Sequence, residues 1–416
     1  MALLVLGACN GTVGTLSLKL TTAPGSTLLD SAQTLQLTIT NPHQVTTATR
    51  GPNGFTIDLE MPATSTTGSI IVEALDGSGT RIAAGESPPV PFGAVDAAIV
   101  IYMAVPNTIG ATPAMLAPAR SGLGAGQLTY GAVLAGGVDS AGAPSDAIAI
   151  YNAFDHTLTG GLAMPAARAG IGVGVGASNQ VYLFGGSDHG GAPTGTAWRF
   201  DTNAAPSGAY VDFGDKAGFA RSFPALAPLG NDRFLITGMP AAELDGLNGS
   251  VTARTEVASL PASGASVVGA DGVVTSIFAG DTGIVRYRNA TFDTLDATPR
   301  TGAAVVALPT GKLAVVCGVS PELVDPATGA LSPLTITAPA GCGAAATQRH
   351  LVIAEGATAQ VFDATTLAPV AQPPLVEPRS APDLVALPNG QVLIAGGTDG
   401  SGAPIATLEL FTPEPQ

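Results

Sequence analysis

"GGVDSAGAPSDAIAIY" (136–151), "GGSDHGGAPTGTAWRF" (185–200) and "GGTDGSGAPIATLELF" (396–411) share one frame. Each opens on a glycine pair, places an Asp at the fourth position, turns through Gly-Ala-Pro and closes on an aromatic residue. Three copies of one spacing mean that the chain is built from a repeated unit. Working outward, an Arg stands 16 or 17 positions before each pair: Arg120, Arg168 and Arg379. The same interval joins Arg300 to Cys317-Gly318 and Arg221 to Thr237-Gly238. Two further units keep the frame without the Arg, with Ser263 before Ala279-Gly280 and Pro339 before Glu355-Gly356. The count is seven units, from about 106 to 416.

Between Arg and pair the sequence reads strand, turn, strand, as in "DLVALPNGQVLIAGG" with its Asn389-Gly390 turn. A loop follows the pair, then a third strand closing on Tyr151, Phe200, Tyr287, Val324, Phe362 or Phe411, then a fourth. Four antiparallel strands per repeat of this length predict a β-propeller blade. The glycine pair, the third-strand aromatic and the leading Arg resemble kelch repeats, over some 300 residues, and place the chain beside the kelch and galactose-oxidase-like propellers. The usual fourth-strand Trp is absent. The resemblance implies a seven-bladed ring, with aromatics between blades and the Asp closing an Asx turn. The last unit lacks a fourth strand, so "TPAMLAP" (112–118) is expected to pair with its third strand and close the ring.

Before the repeats, residues 10–105 alternate apolar and polar positions at 15–22, 34–40, 55–61, 69–76, 80–86 and 97–105. "ALDGSGTRIA" reads as a hairpin. A small β-sandwich of immunoglobulin-like or transthyretin-like type is expected there, acting as a stalk. The chain as a whole is all-β. Gly and Pro (54 and 33 of 416 residues) supply the turns, and a mean hydropathy of +0.37 argues against disorder.

"MALLVLGAC" (1–9) resembles a bacterial lipobox, with Leu6-Gly7-Ala8 before Cys9 as the acylated residue. That implies an exported, lipid-anchored protein of the cell envelope, on the outer membrane. Cys317 and Cys342 then remain as a candidate disulfide on adjacent blades, with two buried free thiols as the alternative. The net charge of −15 excludes a nucleic-acid partner.

Strand direction puts the arginines and the loops after the pairs on one face. Arg120, Arg168, Arg221, Arg300 and Arg379 are candidate ligand-binding residues there, with Asp139, Asp188 and Asp399. The loops are long in units seven, one and two, and unit three carries the insertion "MPAAELDGLNGSVTAR" (239–254). They would form a wall beside an arginine-floored hollow suited to carboxylated sugars or acidic peptides. The competing reading is structural, with each Arg bonding loop carbonyls or Asp. His43, His156, His189 and His350 show no metal-ligand spacing and read as surface or loop residues, so no metal and no cofactor is expected. A non-catalytic module binding a protein or polysaccharide is the first expectation. An envelope sugar epimerase or lyase using Arg and Asp is the second.

Overall fold

The computed structural model describes residues 3–4, 16–52, 55, 66–91 and 97–415. Among these residues no α-helix occurs, and two 3-10 turns, Ala177–Asn179 and Ala217–Phe219, interrupt an otherwise all-β chain. Residues 108–412 form a succession of antiparallel sheets. Blade one contains Gly124–Leu128, Gly131–Ala135, Ile148–Asn152 and Thr157–Gly160, paired in that order. Blades two to five repeat the order over 172–215, 226–253, 263–296 and 304–333. The first strand of each unit touches the first strand of the next, and that of blade seven touches that of blade one. The sheets therefore close into a ring of seven around an axis lined by first strands.

Ring closure follows the expected device, with a shifted start. Thr108–Met115 pairs antiparallel with Thr407–Thr412, aligning Ile109 with Phe411 and Met115 with Thr407. The pairing starts four residues before the expected segment. It carries an irregularity between Ala111 and Met115 and is extended by Leu116 N–H donating to Ala406 O (2.8 Å). Blade seven thus has four strands, one taken from the chain ahead of blade one. Without that strand the third strand of blade seven would present an unpaired edge.

Blade six departs from the frame. Its second and third strands are one element, His350–Asp363, which passes Gly356 at φ 64°. Pro369–Ala371 and Pro374–Arg379 both pair with that element. The sequence here has no Asp-led loop after the small pair, so the chain stays extended.

The third-strand residues fill the seams between blades. Tyr151, Phe200, Val324 and Phe411 are completely buried, and Tyr287 and Phe362 nearly so. Val133, Ala135 and Ile148 of blade one share a core with Val181, Leu183 and Phe200 of blade two. Each large side chain so buried contributes about 1.5–3 kcal/mol. Cys317 and Cys342 are bridged, tying blade five to blade six with Cα atoms 5.6 Å apart.

Ahead of the ring, Leu16–Thr21 runs parallel to Ala97–Tyr102. A second sheet orders His43–Thr49, Thr34–Thr40, Ile70–Leu75 and Arg81–Glu86. Leu18, Ile99 and Ile101 of the first sheet share one core with Leu35, Leu37 and Val72 of the second. The expected hairpin is present, and Asp76 Oδ1 accepts from Ser78 N–H (2.8 Å) and Thr80 N–H (3.0 Å) at its turn. His43–Thr49 was not expected as a strand; its Thr-rich sequence pairs with Thr34–Thr40 from Thr40↔His43. Most of the expected strand 55–61, and Cys9, lie outside the described residues. Phe154 of blade one packs on this core and its carbonyl accepts from Val100 N–H (2.7 Å).

Candidate functional site

All five arginines enter first strands on one face, and all five are buried in the blades, between 0% and 7% exposed. Arg120 donates from Nη1 to Gly136 O (2.6 Å) and Ala147 O (2.7 Å). Arg221 donates to Phe219 O, Thr237 O and Pro240 O at 2.7–3.0 Å. Arg379 reaches Gly396 O and Thr407 O (both 3.1 Å) and pairs with Glu409, both side chains fully buried. Arg300 bonds Asp296 (2.7 Å) and Glu322 (2.9 Å). Arg168 bonds Thr196 Oγ1 (3.3 Å) and lies 5.2 Å over the Trp198 ring. Burial lowers the pKa of Arg120 and Arg221 to about 10. These bonds run from the arginines to strand-end carbonyls and third-strand groups, and for Arg300 also to Asp296 at the end of the preceding blade, the structural alternative weighed above.

Arg120 differs from its counterparts. Its Nε and Nη2 have no partner among the described residues. The position of Glu409 in blade seven is taken by Ala149 in blade one, because Ala147 O and Thr407 O are matched acceptors two residues earlier.

The three loop carboxylates close Asx turns. Asp139 Oδ1 accepts from Ala141 and Ala143 N–H (both 2.9 Å). Asp188 does the same for Gly190 (2.8 Å) and Ala192 (3.0 Å), and Asp399 for Ser401 (2.8 Å) and Ala403 (2.9 Å). Hydrogen bonds from the Ser401 side chain and nearby backbone hold Asp399 below the usual carboxylate range.

The glycine pairs have two causes at once. Gly136 and Gly137 sit at φ 60° and 98°, where side chains are disfavoured. A Cβ on Gly136 would stand 2.5 Å from Arg168 O of the next blade, and one on Gly137 2.7 Å from Ser121 O. Gly137 N–H donates to Arg168 O (2.9 Å), so the pair fastens one blade to the next.

The wall is shorter than expected. Within 239–254, Ala242–Asp245 and Ser250–Ala253 are the third and fourth strands of blade three, so the insertion is not a loop. Long loops rise over blades seven, one and two. Beside them, at the mouth of the axis, lies a concavity of about 300 Å³ lined by Leu123, Gly170, Ile171, Phe223, Pro224 and Leu226 among others. Its floor is small and apolar, with none of the arginines. A larger cavity, about 590 Å³, opens on the opposite face between the ring's turns and the N-terminal sheets. Its charged members, Arg349 and Glu86, pair with each other (3.2 Å), and Asn389 Nδ2 donates to Glu86 O (3.2 Å).

Two ionisable residues, Asp383 half-buried with its Oδ2 out of solvent and His156 fully buried, were missed or misplaced by sequence reasoning. Asp383 sits at the first-strand level held by Gly124 in blade one and Gly172 in blade two. Burial raises its pKa to about 7 against the opposing hydrogen bond of Leu123 N–H, and its Oδ2 has no partner among the described residues. His156, expected at the surface, is 3% exposed and shares a 2.8 Å hydrogen bond with Tyr151. Burial depresses its pKa to about 4. His350 is likewise buried, its ring edge-on to Phe411, whereas His189 is exposed on its loop. Among the described residues no three His, Cys, Asp or Glu side chains are grouped to hold a metal ion.

No protein-family profile matches the sequence, and no curated protein does. Among solved structures the chain is similar to that of YjhT, with 13% identity and a TM-score of 0.41 over 59% of this chain and 95% of that one. A superposition at that level carries no weight, and the ring rests on its own strand order.

Proposed function

We propose that this is a lipid-anchored protein of the bacterial cell envelope whose kelch-like ring is a non-catalytic module binding a protein or polysaccharide partner. Cys9 is the acylated residue, and residues 10–105 form a β-sandwich of immunoglobulin-like or transthyretin-like type that holds the ring off the membrane. One observation carries the reading: the arginines of the candidate face bond to backbone carbonyls and to carboxylates of the strands, and the loop aspartates bond to their own turns. An epimerase or lyase needs an acid and a base converging on one substrate, and these groups are engaged by strand ends and turns of the ring itself. The Cys317–Cys342 bridge accords with an oxidising compartment.

Envelope pull-down and glycan-array screening of the acylated protein test this, beside time-resolved analysis of any captured glycan. Binding without chemical change is expected. Turnover abolished by Arg168→Ala in a variant that keeps its melting temperature would establish the enzyme reading instead. Release of the protein from membranes by Cys9→Ser tests the anchor.

A further inference from the structure

Arg120 and Arg379 hold one pose, and only Arg379 has a counter-charge. In blade seven Arg379 donates from Nη1 to Gly396 O and Thr407 O, from Nε to Glu377 O (3.3 Å) and from Nη2 to Glu409. In blade one the Nη1 of Arg120 takes the matching carbonyls, Gly136 O and Ala147 O. Its Nε and Nη2 have no acceptor among the described residues, although the side chain is 0% exposed. A guanidinium carries five N–H groups, so the three on Nε and Nη2 are left over. Burial lowers the pKa of Arg120 only to about 10, and the group is a cation at neutral pH. Asp146, whose charge opposes that shift, is exposed and bonds to neither nitrogen.

One third-strand residue, thirteen positions after the first glycine of the pair, decides what meets the guanidinium. It is Glu409 in blade seven, Trp198 in blade two and Ala149 in blade one. The Glu409 carboxylate pairs with Arg379, and Arg168 lies 5.2 Å over the Trp198 ring. Ala149 offers only a methyl group. Its backbone register matches that of Glu409: Glu409 stands between Ile394 and Ala111, and Ala149 between Leu134 and Gly160. Gly160 adds no side chain beside Ala149, and a Cβ there would meet nothing within 4 Å. Gly160 is exposed and Ala149 is 7% exposed, which leaves a way in from solvent. Blade one therefore has a buried cation with a free edge of N–H donors, and a methyl group where its repeat partner has a carboxylate. Leaving such a charge unanswered is costly.

We propose that blade one binds a small monocarboxylate, of formate or acetate size, with its oxygens on Nε and Nη2 of Arg120. The atoms that Glu409 carries beyond its Cβ are one methylene and one carboxylate, the make-up of acetate. The ligand thus restores in blade one the pair that blade seven has within its own chain. The free edge of Arg120 takes two carboxylate oxygens side by side, a match that a halide or a water does not provide. A divalent anion would bring a second charge that one guanidinium leaves unpaired. The site lies inside the ring and is independent of the binding-module reading, so either can fail without the other.

The test is proton saturation transfer from the intact protein to acetate and formate, in carboxylate-free buffer at constant ionic strength. Transfer to at least one of them is expected. Ala149→Glu supplies the carboxylate from the chain itself and should abolish the transfer, as should Arg120→Met. Thermal unfolding gives a second readout: acetate should raise the melting temperature of the parent and leave that of Ala149→Glu unchanged. Without acetate, Ala149→Glu should melt at least about 2 °C above Ala149→Gln, because both side chains fill the space and only Glu answers the cation. The two Ala149 variants keep Arg120, so the test stands even where Arg120→Met fails to fold. Four results overturn the proposal. They are no transfer at tens of millimolar of either anion, transfer indifferent to Ala149→Glu, Ala149→Gln as stable as Ala149→Glu, or chloride raising the parent's melting temperature as much as acetate. The third would mean that water satisfies Arg120, and the fourth that the site takes any monovalent anion.

Discussion

Replacing Glu409 by Gln removes the negative charge from a pair in which neither side chain is exposed. Three donors converge on that carboxylate: Arg379 Nη2, Val376 N–H (2.8 Å) and Glu377 N–H (3.1 Å). Gln keeps one acceptor oxygen and turns an N–H₂ toward at least one of these donors. Arg379 would then be a buried cation without a counter-charge, held by neutral acceptors that include Gly396 O, Thr407 O and the carbonyl of Glu377. Breaking one side of a buried pair costs about 3–5 kcal/mol, a large part of the ~5–15 kcal/mol that holds a typical domain. Removing both charges with Arg379→Met/Glu409→Leu should not recover the loss, because the Val376 and Glu377 amides would be left unpaired at about 1–3 kcal/mol each. Equilibrium unfolding in guanidinium, followed by circular dichroism, reads the difference as a lowered midpoint at unchanged slope. A Glu409→Gln variant within about 0.5 kcal/mol of the parent would refute the structural assignment of the arginines. So would an Arg379→Ala variant that keeps its midpoint and loses a ligand.

Three further outcomes are expected. Gly142→Ala, at φ 78° in open space, should cost only the ~1–2 kcal/mol of a left-handed side chain. Gly137→Ala, whose Cβ meets Ser121 O and Leu123, should cost more, and equal losses in denaturation would contradict the close-approach account. Cys317→Ser/Cys342→Ser should lower stability by ~3 kcal/mol on the chain-entropy account of a closed loop, read by the same unfolding assay against the parent with and without reductant. The pH dependence has two opposed parts. The native chain holds His156 neutral down to about pH 4 while the unfolded chain protonates near 6.5, so this residue makes stability rise with pH between the two. Asp383 stays protonated in the native chain up to about pH 7 against an ordinary 3.8, so it makes stability fall over that range. Asp383→Asn removes the second effect, and its stability should climb by roughly 3 kcal/mol from pH 4 to 6.5; a profile unchanged from the parent would show Asp383 to be solvated.

The ring was legible in the sequence because its geometry is enforced by backbone, and backbone demands leave glycine marks. The pairs at 136, 185 and 396 sit where φ is positive and a neighbouring blade is in contact. The Asp at the fourth position is read as directly, since an Asx turn is local. The missing fourth strand of blade seven announced a donor elsewhere in the chain. The direction of a side chain is not local, and there the reading ran out: spacing placed five arginines on a face without saying that they fold back into it. Glu409 was the available signal, a charge within the apolar run "TLELF" that requires a buried cation nearby. Asp383 likewise replaces a small residue of the first strand. Blade six could not be anticipated, because the continuity of His350–Asp363 depends on pairing with strands 374–379 rather than on a turn.

Hydrogen exchange along residues 108–116 of the intact protein tests the closed ring most directly. The amides that pair with Thr407–Thr412 should exchange as slowly as those of Val392–Ala395, the second strand of the same blade. Exchange as fast as that of the exposed loop 399–402 would show that the last blade is open and that the ring is not stitched shut from its N-terminal side.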